Sequence, residues 1–142
     1  PRLDVVGLCL SDQVRTLAGS NVVIHGRVAD VAPFYNQARV FIVPTRFAAG
    51  IPHKAHEAAA HGLPMVTTAL IASQLGWKDE VAVGQTARDF ALHCAALHNV
   101  EALWSAKHSA LLKAVKRDCS SAQFQATVRS IFSESVTTGS NA

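Results

Sequence analysis

The chain has 142 residues and a net charge of +3, from 13 Lys and Arg against 10 Asp and Glu. That is about one domain's length, with too small and too scattered a basic excess to expect a nucleic-acid partner. Hydrophobic residues reach 49% and charged residues only 16%, which excludes disorder over most of the sequence. No apolar run approaches the roughly 18 residues of a membrane span, so no integral membrane segment is expected.

Three runs rich in β-branched residues, 3–6, 22–24 and 40–43, read as buried parallel strands. Between them, residues 12–17 suit a short helix and 31–37 another, with Asp30 as its N-cap and Pro33 tolerated in the first turn. A further strand is expected at 65–68, introduced by Gly62-Leu63-Pro64, and a last short one at 81–83. From Ala87 the spacing becomes helical, with Phe90, Cys94 and Leu97, then Leu103, Ala106 and Ala110, then Phe124, Val128, Ile131 and Phe132, which predicts three closing helices. Asp118 to Ser121 separates the last two, and Ser120 or Ser121 caps the final one. The fold class is therefore α/β: an open parallel sheet with helices on both faces and extra C-terminal helices, over residues 1–136, with 137–142 a flexible tail.

Three cysteines, Cys9, Cys94 and Cys119, are an odd number without a Cys-x-x-Cys pair. They suit small buried hydrophobes in a reducing cytoplasm better than a disulfide framework or a zinc site.

The segment from Pro44 to Pro64 carries the chemistry. It leaves a strand, turns through small residues and enters an alanine-rich helix that Gly62 ends. Ligands of open α/β sheets bind at the carboxyl ends of strands. Pro52 suits the first helical turn, and Gly50 permits a positive φ or the close approach of a ligand. No Ser, Thr, Asp or Asn from Phe47 to His53 caps the helix. Its first amides, together with Lys54, are therefore placed either for an anion such as a phosphate or for water, with Lys54 in solvent.

Glu57 lies five residues beyond Pro52, about 7.5 Å along the helix axis at 1.5 Å per residue. That is about the span from a diphosphate to the ribose of one nucleotide, and an ionised carboxylate can accept from both hydroxyls of a diol; the plain alternative is a solvated helix glutamate. His53, Glu57 and His61 share a face, but residues eight apart on one helix are about 12 Å apart, and the pattern is neither His-Glu-x-x-His nor its inverse. No metal is expected.

These residues resemble a known family. Gly26-Arg27-Val28, the run from Phe34 to Pro44, Gly50 to Glu57, the run from Ala58 to Thr68, and Leu75-Gly76 are similar to the C-terminal, donor-binding half of a group 1 (family 4) glycosyltransferase of the GT-B fold. The resemblance implies a Rossmann-like domain that binds a nucleoside diphosphate sugar as donor substrate, with no separate cofactor and no metal. By the same resemblance, Glu57 holds the donor ribose, Gly50, Ile51 and Pro52 form the loop at phosphate and sugar, and Arg27 and Val28 lie beside the base. Thr45 and Arg46 line the cleft. From its place in the first turn of the helix, Lys54 is expected to be the catalytic cation that stabilises the departing diphosphate. The sequence departs from the pattern at Ala49, where a first glutamate would stand, and at Ile71 and Gln74, where glycines are common.

In that pattern the opening strand, with its Arg and Lys, and the whole acceptor-binding N-terminal domain would precede Pro1. The expectation is thus a fragment of a transferase that moves a sugar to an acceptor hydroxyl. It supplies much of the donor site, is inactive alone, and belongs to a cytoplasmic protein that meets the membrane, if at all, through the missing half. A degenerate, non-catalytic interaction module of the same fold is the alternative. A flavodoxin-type signalling module would need clustered acidic residues at strand ends, and Asp4 and Asp30 do not provide them.

Overall fold

The computed structural model describes residues 1–8, 11–47, 50 and 53–137. Within it the chain divides into two compact units, Pro1–Ala38 and Arg39–Ala142.

In the first unit, β1 (Leu3–Val6) pairs in parallel with β2 (Val22–Gly26), Leu3 opposite Val22 and Val5 opposite Ile24, with a register shift between Val5 and Val6. The second strand is longer than its apolar run because Gly26 continues the ladder opposite Val6, with His25 as the extra residue at the register shift. Between the strands lies α1 (Asp12–Arg15), started by Ser11, whose Oγ accepts from the Val14 amide at 3.3 Å. It ends at Arg15 instead of reaching residue 17. The helix α2 (Ala32–Gln37) follows β2. Its N-cap is Val31, which offers no side-chain bond, and Asp30 acts from one position earlier by accepting the Ala32 amide on Oδ1 at 2.9 Å. The sequence expectation is corrected by one residue, since a carboxylate can reach an amide two residues on in an Asx-type turn.

The second unit is built on a three-stranded sheet in the order β3 (Phe41–Val43), β4 (Met65–Thr67), β5 (Ala82–Val83), parallel throughout. Around it run α3 (His53–Ala60), α4 (Ala69–Leu75), α5 (Ala87–Asn99), α6 (Glu101–Asp118) and α7 (Ser121–Thr137). Parallel strands and helices make this a mixed α/β protein of Rossmann-like type, with its strands in two sheets. The central strand β4 is buried over its whole length, as a parallel strand covered on both faces must be.

Caps explain where the helices of the second unit begin and end. Thr68, expected in a strand, is the N-cap of α4, and Gly76 closes that helix at φ +71°. Thr86 and Asp89 form a reciprocal box at the start of α5: Thr86 Oγ1 accepts from the Asp89 amide at 3.2 Å, and Asp89 Oδ2 accepts from the Thr86 amide at 3.0 Å. Ser120 accepts the Gln123 amide at 3.2 Å, as expected for the cap of α7. The core of this unit holds Trp77, Met65, Ile71, Leu97 and Leu111, each under 2% exposed.

Candidate functional site

The β3–α3 segment holds most of the predicted site. Ala55, Ala58 and Ala59 are fully buried and seat α3 against α6 and β4. Alanine suits this position because it favours helix and leaves room for close approach. The seat fixes the roll of the helix, so Lys54 and Glu57, three residues apart, share the exposed face.

Gly62 stops α3 at φ +65°. Its amide donates to Ala59 O at 2.8 Å and the Leu63 amide to Ala58 O at 2.9 Å, the paired bonds of a Schellman end. The carbonyl of Gly62 is bound at 2.6 Å by Nδ1 of His108, whose ring stacks on Trp104 with centroids 4.9 Å apart. Trp104 in turn donates its indole N–H to Arg39 O at 2.7 Å, under the Arg39 guanidinium. The C-terminal end of α3 is thereby tied to α6 and to the residue that opens the unit.

The other end of the segment is anchored by a residue that sequence reasoning missed. Thr68 donates its hydroxyl to Thr45 O at 2.7 Å and also accepts the Ile71 amide at 3.4 Å. One side chain thus caps α4 and holds the loop after β3 at the carboxyl end of the sheet. A Thr before an apolar run was a readable cap signal. Thr45 is half-buried, while Arg46, Gly50, Lys54 and Glu57 are exposed. At Gly50 a Cβ would meet nothing within 4 Å, so the backbone there is open to close approach. Ile51 and Pro52 lie outside the described residues.

A first-turn lysine opposes the positive end of a helix, and α3 has no acidic residue in that turn. The basic groups Arg46 and Lys54 therefore sit along a segment whose local electrostatics favour an anion.

His56 on α3 packs against the core of the unit. It is half-buried, with its ring edge-on to Trp77 at 5.2 Å, and Trp77 donates its indole N–H to Asp118 Oδ2 at 2.8 Å. Arg117 beside Asp118 holds that carboxyl below its ordinary range, with the Trp77 bond and the charge of His56 acting the same way against burial. Among the described residues no group of three or more His, Cys, Asp or Glu side chains is arranged to hold a metal ion.

Arg27 and Val28 belong to the first unit, where they follow β2. There an open pocket of about 320 Å³ lies at the strand ends, lined by Gly7, Arg15, His25, Gly26 and Arg27 among others. Nε2 of His25 is bound to Asp4 Oδ1 at 2.7 Å. That bond, with Arg2, keeps the Asp4 carboxyl below its usual value. Arg15 was not singled out from the sequence, since a basic residue in the last turn of a helix ordinarily answers the helix dipole.

Among the described residues no helix is long and apolar enough to cross a membrane. No curated protein matches the chain. The family model described as glycosyl transferases group 1 matches residues 2–100.

Proposed function

The chain belongs to the group 1 glycosyl transferases, and from that membership we propose that it is the donor-binding part of an enzyme that moves a sugar from a nucleoside diphosphate to an acceptor hydroxyl. The observation that carries the reading is the β3–α3 segment, with Lys54 and Glu57 on the exposed face of a helix whose opposite face is fixed by Ala55, Ala58 and Ala59. Lys54 and the open backbone at Gly50 stabilise the departing diphosphate, Glu57 accepts from the ribose hydroxyls, and Thr45 and Arg46 border the same segment. Charge developing on the leaving group is met by groups already held in place, so little reorganisation is needed at the moment of transfer.

The GT-B partner half supplies the acceptor, so the chain by itself transfers nothing, because donor and acceptor must be held together for reaction. Cys94 and Cys119 are free thiols, with burial pushing both up from their usual range, and suit a reducing cytoplasm. Any membrane contact would come through the partner half.

Calorimetric titration of the chain with UDP, GDP and ADP tests the reading. One nucleotide should give saturable heat that Glu57→Ala and Lys54→Gln each weaken by about tenfold, the loss of one charge-assisted bond. No heat from any of them, in this chain or in the enzyme containing it, would leave a non-catalytic interaction module of the same fold. Heat unchanged in Glu57→Ala would remove the ribose assignment.

A further inference from the structure

A second concavity, of about 410 Å³, lies in the Arg39–Ala142 unit, and none of its walls comes from the β3–α3 segment. It is lined by residues of β5, α5 and α6 and of the turn before β5. Val81 and Leu97, 3% and 1% exposed, form its floor, with Val83 and Leu103 as further apolar walls. The polar groups that line it are all potential cations: Lys78, exposed and without a hydrogen bond or ion pair among the described residues, and the half-buried His93 and Lys107. Among the described residues no carboxylate lines it. The nearby Glu80 is engaged by Arg117 at 3.2 Å, and Asp89, one turn before His93 on α5, is engaged by the Thr86 and Gln85 amides.

Lys107 donates to the carbonyls of Asp79 and Val81, the latter at 3.3 Å. This fixes its charge beside the pocket and occupies acceptors in the turn just before β5, the last strand in the order of that sheet. A lysine so placed works against the addition of a strand from another chain. What remains is a half-open concavity with an apolar floor and a positively charged lining, of a volume that suits a small molecule.

We propose that this pocket binds a single-chain fatty carboxylate, its tail over Val81 and Leu97 and its head at Lys78. The inference is independent of the nucleotide reading, since it uses no residue of that segment. It is tested on the full chain with sodium octanoate as probe. Butyrate has the same head and a shorter tail, and 1-octanol has the same tail and a neutral head. Methyl NMR of Val81, Val83, Leu97 and Leu103 is the readout.

Octanoate should shift these methyls saturably and bind more tightly than butyrate by a factor on the order of a hundred, the effect of four buried methylenes. It should bind about tenfold more weakly in Lys78→Gln, which loses one charge-assisted bond. Leu103→Trp, a change at a side chain 36% exposed, should fill the mouth and abolish binding. Methyl dispersion reports whether that variant folds, and if it does not, the Lys78→Gln comparison decides alone. Binding of octanol equal to octanoate, or of butyrate equal to octanoate, overturns the proposal. So do shifts that spread evenly over methyls outside the pocket, and octanoate affinity unchanged by Lys78→Gln.

Discussion

Gly62→Ala should be among the most damaging single-methyl additions in this chain. The residue sits at φ +65°, where a Cβ approaches the carbonyl oxygen and costs about 1–2 kcal/mol. A Cβ built there lies 2.5 Å from Nδ1 of His108, closer still to Cε1, and 3.3 Å from a Leu112 methyl. The imidazole cannot simply swing away, because it is bound to Gly62 O at 2.6 Å and stacked on Trp104 at 4.9 Å. Displacing it gives up a hydrogen bond of about 1 kcal/mol and a ring contact of about the same size. Together these amount to roughly 3–4 kcal/mol, a large share of the 5–15 kcal/mol that holds a typical domain.

Urea unfolding followed by circular dichroism measures this effect, with Gly50→Ala as the matched control. That position has open space around it, so its change should stay within about 0.5 kcal/mol. The double variant Gly62→Ala with His108→Ala removes the collision and leaves the backbone strain, so the methyl should cost less in that background than in the wild type. A loss below about 1 kcal/mol for Gly62→Ala would refute the reasoning that His108 locks the end of α3.

Thr67→Val should stabilise the chain by about 1 kcal/mol, because the Thr67 hydroxyl is fully buried with no hydrogen-bond partner among the described residues and valine keeps the shape; a lower urea midpoint would contradict this. Asp118 is held below its ordinary value of 3.8 first by Arg117, so its contribution to stability is complete above that value and is lost as pH falls through the lower folded one. The drop in melting temperature below about pH 4 should therefore be shallower in Asp118→Asn than in the wild type, and an unchanged slope would remove Asp118 from the account. Asp4, held down by His25 and Arg2, should behave with the same sign, read as a shallower acid slope in Asp4→Asn.

The fold was legible wherever a local signal matched the tertiary outcome. The β-branched runs became β1 to β4, the glycine after the alanines became the end of α3, and Ser120 became a cap. The helix α4 went unread because its sequence, Ala69-Leu70-Ile71-Ala72-Ser73-Gln74-Leu75, is too short and too apolar for a period to show. Only its caps, Thr68 and Gly76, announced it. In the site, the helical register of Lys54 and Glu57 was readable from spacing. The groups that hold the segment were not, since the bond from Thr68 to Thr45 O spans 23 residues and the one from Trp77 to Asp118 spans 41. No periodicity reports such pairings, because burial and sheet register create them.

On the proposed function the same helix is both core and site, which would tie the chemistry to the packing. Consecutive residues of α3 differ by about 100° around its axis, so a roll of one residue would carry Glu57 toward the face now filled by Ala58 and bury a carboxylate without a partner. Three buried alanines, the Schellman end at Gly62 and the His108 bond all resist that roll. Alanine also keeps the seat shallow, whereas a larger side chain at 55, 58 or 59 would push the helix away from α6 and move the exposed face with it. Changes at positions outside the proposed contacts, at Ala58 or His108, should therefore act on affinity through the position of Glu57 as well as on stability. Measuring nucleotide affinity and urea midpoint on the same variants separates the two effects.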